Sequence, residues 1–509
     1  MNAKIEVNAN RVLSDVSPYL FGHFMENAFD NVYGGAFDPG NPLSNANGHR
    51  LDVLEAMKRA GASILRYPGG NFVSNYHWED GVGPKEQRKR VFEYAWLTEE
   101  SNQHGTLEFI ELCRAVGAEP LLCVNMGSGT AEEAMHWVEY CNGTGNTEYA
   151  NLRRSHGYEE PFGVKFWGLG NEMYGDWQMG ALSAEDYAKK AVDFARAMKF
   201  ADPAIQLIIS GYDTDWNYTA VKALANYADY ISAHSYSAGW NTFDPKDHLL
   251  MMSLSEKLQV MNDLLVANIR SGANTSMDSI KITWDEWNMF GWQIPDVEKD
   301  ETYTLQNAVY TASVLNFFLR NSETVRMAHY STFININGAV RVMPGSLLLR
   351  PQFYSFEMIA NNVGSKLLDC FVQSDTFEVD FTSRPELSQS LGRKIPFGAG
   401  FRSDSLERSK TRSVSYIDAV ATADEGAVYL NVVNKHAEED IWVDVELTGT
   451  AIHGQASTWT ALYHDDLYAC NTIAKPDTVK PFVEQGAALG NHFRILARKH
   501  SVNVIRLAK

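Results

Sequence analysis

A chain of 509 residues exceeds one ordinary core and points to two domains, or to a barrel with an addition. Hydrophobic content of 45% and charged content of 21% are those of a soluble globular protein, and a net charge of -19 excludes the basic face that nucleic acid needs and disfavours an acidic polymer as substrate. No run of about 20 apolar residues could span a membrane. Met1–Arg11 lacks the apolar core of a secretory signal. The five cysteines (Cys113, Cys123, Cys141, Cys370, Cys470) are too sparse for a disulfide framework, so a reducing cytoplasm is expected. Neither CxxC nor HExxH occurs, so no metal site is expected.

Taken in order, Lys4–Val7 reads as a short strand that pairs with the C-terminal part of the chain. A first barrel strand is expected at Tyr19–Phe24, leading to Met25, Glu26 and Asn27. After a Gly/Pro/Asn-rich loop, Leu51–Ala60 has helical spacing. Ser63–Tyr67 is a second strand and runs into Pro68, Gly69, Gly70 and Asn71, where glycines permit a tight turn that presents the Asn. A polar loop with Trp78 and Trp96 precedes a helix over Thr106–Val116. Glu119–Met126 is the third strand, and Thr130 with Glu133 reads as a helix cap.

The fourth strand is the most informative. Phe166–Leu169 is an apolar run that ends at Gly170, Asn171 and Glu172, with Trp177 and Gln178 close behind. Ser183 and Asp186 cap the next helix. Ile205–Ser210 and Tyr230–Tyr236 are the fifth and sixth strands, the sixth ending in His234 and Tyr236. A helix near Leu249–Ile269 leads to the seventh strand, Lys281–Asn288, which closes on Asp285, Glu286, Trp287 and Asn288. A helix at Thr304–Leu319 and an eighth strand at Val325–Phe333 follow. Alternating strands and helices in this number predict a (β/α)₈ barrel.

Beyond residue 360 the pattern changes. Ile441, Val443, Val445 and Leu447 alternate with Trp442, Asp444 and Glu446, and Ala427–Val433 and Val502–Leu507 also read as strands. An antiparallel, jelly-roll-like β-sandwich is expected. Arg384–Arg412 is read as an exposed loop with a solvated basic excess. The expected division is 1–15 as a strand joining the sandwich, 16–360 as the barrel and 361–509 as the sandwich.

Two strands that each end in a glutamate beside aromatic and amide residues are what a retaining glycosidase needs. One carboxyl protonates the leaving oxygen and the other attacks the sugar carbon. Glu172, partly buried, is the expected general acid, and Glu286 the nucleophile, with Tyr236 as its hydrogen-bond donor. Period two points Asp285 away from Glu286, so Asp285 is read as structural. Glu26, Asn71 and Asn171 suit sugar hydroxyls, and Trp96 offers a flat apolar wall. His234 is read either as a satisfied core histidine or as support for the site.

These motifs resemble the α-L-arabinofuranosidases of glycoside hydrolase family 51. The likeness rests on GNEM with Trp177–Gln178, on DEWN at Asp285–Asn288 and on RYPGGNFVSNYHWEDGVGP at Arg66–Pro84. HSY at His234–Tyr236 and EPLLCVNMGSGT at Glu119–Thr130 add to it. The resemblance implies a retaining, exo-acting enzyme that removes terminal α-L-arabinofuranosyl units, with Glu172 as acid/base and Glu286 as nucleophile. It implies that Glu26, Asn71 and Asn171 hold furanose hydroxyls, that Trp96 lines the site, and that His234 and Tyr236 support the pair. It implies arabinofuranose-containing oligosaccharides as partners, a hexamer, and no cofactor. The chain departs from the pattern at Phe290, at Tyr174 and Asp176, and at Leu349–Tyr354, where Arg350 falls nearest a sugar-binding Gln of some relatives. Alternatives are a β-xylosidase or endo-glucanase on the same scaffold, or a carbohydrate-binding protein without turnover.

Overall fold

The computed structural model describes residues 1–238, 247–273, 280–290, 302–380, 411–485 and 489–509. Eight parallel strands close into a barrel: Gly22–Phe24, Ile64–Tyr67, Glu119–Val124, Phe166–Leu169, Gln206–Ile209, Tyr230–Ala238, Lys281–Phe290 and Val325–Tyr330. Most of the strands are short and apolar because helices cover them outside and packed side chains fill them inside. Phe166–Leu169 and Ile64–Tyr67 are buried at every position.

The first barrel strand is shorter than expected. Pro18–Phe21 forms a 3-10 turn, with Ser17 accepting from the Tyr19 N–H, and only Gly22–Phe24 joins the sheet. Proline fits the first position of such a turn and lacks the N–H a central strand requires. Both predicted caps form. Thr130 accepts from the Glu133 N–H ahead of Ala131–Asn142, and Ser183 accepts from the Asp186 N–H ahead of Ala184–Ala201.

The second unit is a sheet of nine strands that includes the N-terminal strand Asn2–Asp15. That strand lies between Lys366–Gln373, antiparallel, and Ile441–Thr448, parallel. The antiparallel expectation thus holds for every neighbour in this sheet except one pair. Ile441, Val443, Val445 and Leu447 point inward and alternate with outward Trp442 and Asp444. One apolar core gathers Ile5, Leu430, Val443, Trp459, Ile495 and Ile505 from strands across the sheet, which requires the sheet to curl over on itself. Its other face packs on the barrel helices Leu305–Arg320 and Pro351–Ala360. Every residue of Leu305–Leu319 is buried, as a helix enclosed between two layers must be. At its end Arg320 donates to Asp418 at 2.8 Å and to the Ala419 carbonyl at 3.0 Å, joining the two units. The basic loop expected at Arg384–Arg412 lies outside the described residues but for its last two.

Candidate active site

Directly after the fourth strand comes Gly170, whose φ of +74° is natural for glycine, and Glu172 follows with a φ of +43°. A non-glycine residue in the left-handed region costs about 1–3 kcal/mol and is held by its surroundings. Here the Gly175 N–H donates to the Glu172 carbonyl at 2.8 Å, and the Leu182 N–H to the Met173 carbonyl at 2.8 Å. This turn swings the Glu172 carboxyl inward, where the residue is 3% exposed. Its Oε1 meets His234 Nδ1 at 2.8 Å and accepts from the Tyr174 hydroxyl at 3.1 Å.

The sixth and seventh strands are paired so that His234 lies beside Glu286 and Tyr236 beside Asn288. Glu286 Oε1 accepts from Arg66 Nη1 at 2.9 Å, and Oε2 accepts from the Tyr236 hydroxyl at 2.7 Å. One carboxylate oxygen of Glu172, one of Glu286 and one ring nitrogen of His234 all lie within 4.8 Å of one another.

Asp285 corrects the sequence reading. A register irregularity between Thr283 and Glu286 breaks the two-residue alternation. Asp285 therefore faces the same cluster: Oδ1 is 3.1 Å from His234 Nε2, and Oδ2 is 3.2 Å from Arg66 Nε. Arg66, on the second strand, was not singled out as a site residue from sequence. It is 1% exposed and bridges both glutamate-bearing strands, since its Nη2 donates to Asn171 Oδ1 at 2.6 Å. An arginine inside a barrel strand is a legible signal, because a buried guanidinium needs carboxylates around it.

The electrostatics separate the acids. Burial pushes the Glu172 carboxyl up, and the bonds from His234 and Tyr174 recover only part of that, so its pKa stays raised. Burial opposes the His234 imidazolium, but Glu286, Asp285 and Glu172 outweigh it and hold its pKa well above the usual histidine value. Burial also works against the Asp285 carboxylate, yet Arg66 and His234 bring its pKa below the ordinary value. With His234 charged, two cations face three carboxyl groups, and one proton on Glu172 makes the cluster neutral.

Two further groups flank this cluster. Glu26 Oε1 accepts from the Phe72 N–H at 2.7 Å and from Trp96 Nε1 at 3.1 Å, and burial pushes its pKa up to about 8. The expected turn at Gly69–Gly70 wraps this carboxyl: a Cβ on Gly70 would stand 2.8 Å from Glu26 Oε2, and one on Gly69 2.8 Å from Glu26 Cγ. Asn71 Oδ1 accepts from Gln178 Nε2 at 2.7 Å, tying the second-strand turn to the loop after Glu172. Asn171 Nδ2 is buried with no acceptor among the described residues. Trp96 is half-buried and meets Phe29 edge-on at 4.9 Å. Arg350, which aligned nearest a sugar-binding position, is fully buried instead; it sits 3.6 Å over the Tyr303 ring and donates to the carbonyls of Asn335 and Gly338. Phe290 is buried at the end of the seventh strand.

Glu172, His234 and Glu286 also have the ligand types of a divalent-cation site. They are instead bonded to one another, to Arg66 and to two tyrosine hydroxyls, so the set is satisfied by the protein's own groups.

Comparison with known proteins gives a consistent result. The model of the α-L-arabinofuranosidase 1 domain matches residues 55–250, and that of the α-L-arabinofuranosidase C-terminal domain matches residues 285–501. A probable α-L-arabinofuranosidase C of Aspergillus fumigatus is 41% identical over 491 residues, covering 93% of this chain and 92% of its own. An intracellular exo-α-(1→5)-L-arabinofuranosidase of Halalkalibacterium halodurans is 28% identical, covering 100% of this chain and 99% of its own. Among solved structures, the Thermotoga maritima α-L-arabinofuranosidase in complex with arabinose superposes with a TM-score of 0.86 at 34% identity, covering 100% of both chains. The GH51 α-L-arabinofuranosidase of Thermotoga petrophila does so with a TM-score of 0.86 at 35% identity, covering 99% of this chain and 100% of its own. The chain therefore belongs to the α-L-arabinofuranosidases of glycoside hydrolase family 51.

Proposed function

We propose that this protein is an exo-acting α-L-arabinofuranosidase that removes terminal non-reducing arabinofuranosyl units from arabino-oligosaccharides with retention of configuration. The observation that carries the reading is the spacing of Glu172 and Glu286, with oxygens within 4.8 Å of each other. Retaining glycosidases hold their carboxyls about 5–5.5 Å apart, whereas inverting ones leave about 6.5–9.5 Å for a water.

In the first step Glu172, protonated, gives its proton to the glycosidic oxygen while Glu286 attacks the anomeric carbon. The C–O bond to the leaving sugar breaks and an ester to Glu286 forms. In the second step Glu172, now a carboxylate, takes a proton from water. That water attacks the same carbon, the ester breaks and Glu286 is regenerated. Arg66 and Tyr236 hold the Glu286 carboxylate in position. His234 bridges Glu172 to Asp285. Glu26, Asn71 and Asn171 bind furanose hydroxyls and Trp96 forms an apolar wall; the unpaired Nδ2 of Asn171 supports the former. Proton NMR of the first turnovers tests this: the α-anomer of arabinose should appear first, and initial release of the β-anomer would exclude double displacement.

The division into a strand at 1–15, a barrel at 16–360 and a sandwich at 361–509 forms part of this reading. It is supported by the pairing of Asn2–Asp15 within the nine-stranded sheet. Among the described residues no helix is long and apolar enough to cross a membrane. A cytoplasmic location draws support from the relative named intracellular, and cell fractionation tests it. The hexamer is tested by sedimentation.

A further inference from the structure

The loop after Glu172 carries a group that the reaction outlined above does not use. Tyr174 lies two residues beyond Glu172, and the Glu172–Gly175 turn folds it back so that its hydroxyl donates to Glu172 Oε1 at 3.1 Å. The ring cannot swing away easily. It stacks on Tyr212 with centroids 3.8 Å apart and planes 12° from parallel, and it meets Trp216 edge-on at 5.7 Å. Gly175 makes the turn possible, because a Cβ there would fall 2.4 Å from the Trp177 ring. Aromatic contacts of this kind hold a ring beyond what its buried area alone would do. A rigid, already oriented hydroxyl thus points at one oxygen of the carboxyl that must gain and lose a proton in each turnover.

We propose that Tyr174 is a positioning residue for Glu172: its hydroxyl fixes the rotamer of the carboxyl and favours the carboxylate form needed when water is activated. This rests on the assignment of Glu172 as the acid/base. A neutral hydroxyl bonds more strongly to a carboxylate than to a carboxylic acid, so the bond strengthens once the proton has left. His234 shares Oε1, and Glu286 stands near the same carboxyl from the seventh strand. Asp285 and Arg66 act through His234 and Glu286. Tyr212 is the titratable group behind Tyr174, with Asp213 and Asp176 beyond it. Burial and the neighbouring carboxyls keep the Tyr174 phenol protonated throughout the working range.

The test is Tyr174→Phe, which keeps the stack and removes only the donor, assayed on an arabinofuranosyl disaccharide and on p-nitrophenyl α-L-arabinofuranoside. Losing the donor destabilises the carboxylate, so Glu172 holds its proton to higher pH. The alkaline limb of kcat/KM on the disaccharide should move up by about one pH unit. On the aryl substrate, which needs little protonation to leave, kcat and KM should fall together about 3–10-fold as the second step slows. Tyr212→Leu leaves the hydroxyl but removes its backing, and should shift the limb in the same direction by less. An unmoved limb and unchanged kcat in Tyr174→Phe would overturn the proposal and leave Tyr174 as packing alone. Glu172→Ala run in parallel separates the two readings. If that variant hydrolyses the disaccharide as fast as wild type, the acid/base assignment itself has failed; if its rate collapses while Tyr174→Phe behaves as wild type, only the role of Tyr174 has.

Discussion

The tips of the fourth and seventh barrel strands each hold a buried glutamate, but their surroundings differ. Glu172 rests on a left-handed turn and takes its bonds on one oxygen, from His234 and Tyr174, so burial dominates and its pKa is raised. Glu286 lies within the strand itself, and each of its oxygens has a donor, Arg66 on one and Tyr236 on the other. On the proposed mechanism, one residue type is thus prepared for two roles by what surrounds it, an acid on a turn and a nucleophile on a strand.

Removing each acid in turn separates the two tips most strongly. Glu286→Ala should lower kcat at least about 10⁴-fold on every arabinofuranoside, because no group remains to form the ester. Glu172→Ala should be selective. Hydrolysis of a disaccharide should fall about 10²–10⁴-fold, while kcat/KM for an aryl furanoside with a good leaving group should change little, and added azide should restore turnover by replacing water. A uniform loss on both substrates would remove the distinction between the tips. In the wild type, the raised pKa of Glu172 keeps the acid protonated above the ordinary glutamate range. The alkaline limb of kcat/KM should therefore lie above that range, and a limb near the ordinary value, about 4.3, would contradict the burial account.

Arg66 reaches both tips, through Asn171 on one side and Glu286 and Asp285 on the other. Arg66→Met should destabilise the fold by about 3–5 kcal/mol in a denaturant titration, since it strands buried carboxylates without their cation. A loss below about 1 kcal/mol would mean the cluster reorganises around a different charge balance. The smallest effect is expected at the flank. Gly70→Ala brings a Cβ 2.8 Å from Glu26 Oε2. It should raise KM about tenfold with kcat nearly kept, because it displaces the carboxyl proposed to bind a furanose hydroxyl and leaves both tips alone.

What the sequence revealed, and what it hid, follows from the range of the forces involved. Strands such as Phe166–Leu169 and helices such as Thr106–Val116 are written in local apolar pattern and caps, and their structural limits match the expected ones. The shortened first strand was hidden because Pro18 favours a turn in a stretch that is apolar either way. Asp285 was misread for a sharper reason. Strict alternation assigns it to the far side, and only the pairing with a neighbouring strand reveals the irregularity that turns it inward. Arg66 and Tyr174 lay in motifs already noticed, yet their partners are distant in sequence or lie across a turn, so local pattern could not assign them. The parallel pairing of the N-terminal strand with Ile441–Thr448 likewise joins the two ends of the chain.

Labelling of the intact protein tests the split of roles most directly. Glu172→Ala mixed with p-nitrophenyl α-L-arabinofuranoside and quenched in acid should gain one pentosyl unit, which peptide mapping should locate on Glu286. No adduct at any time after mixing, or an adduct on another residue, would contradict it.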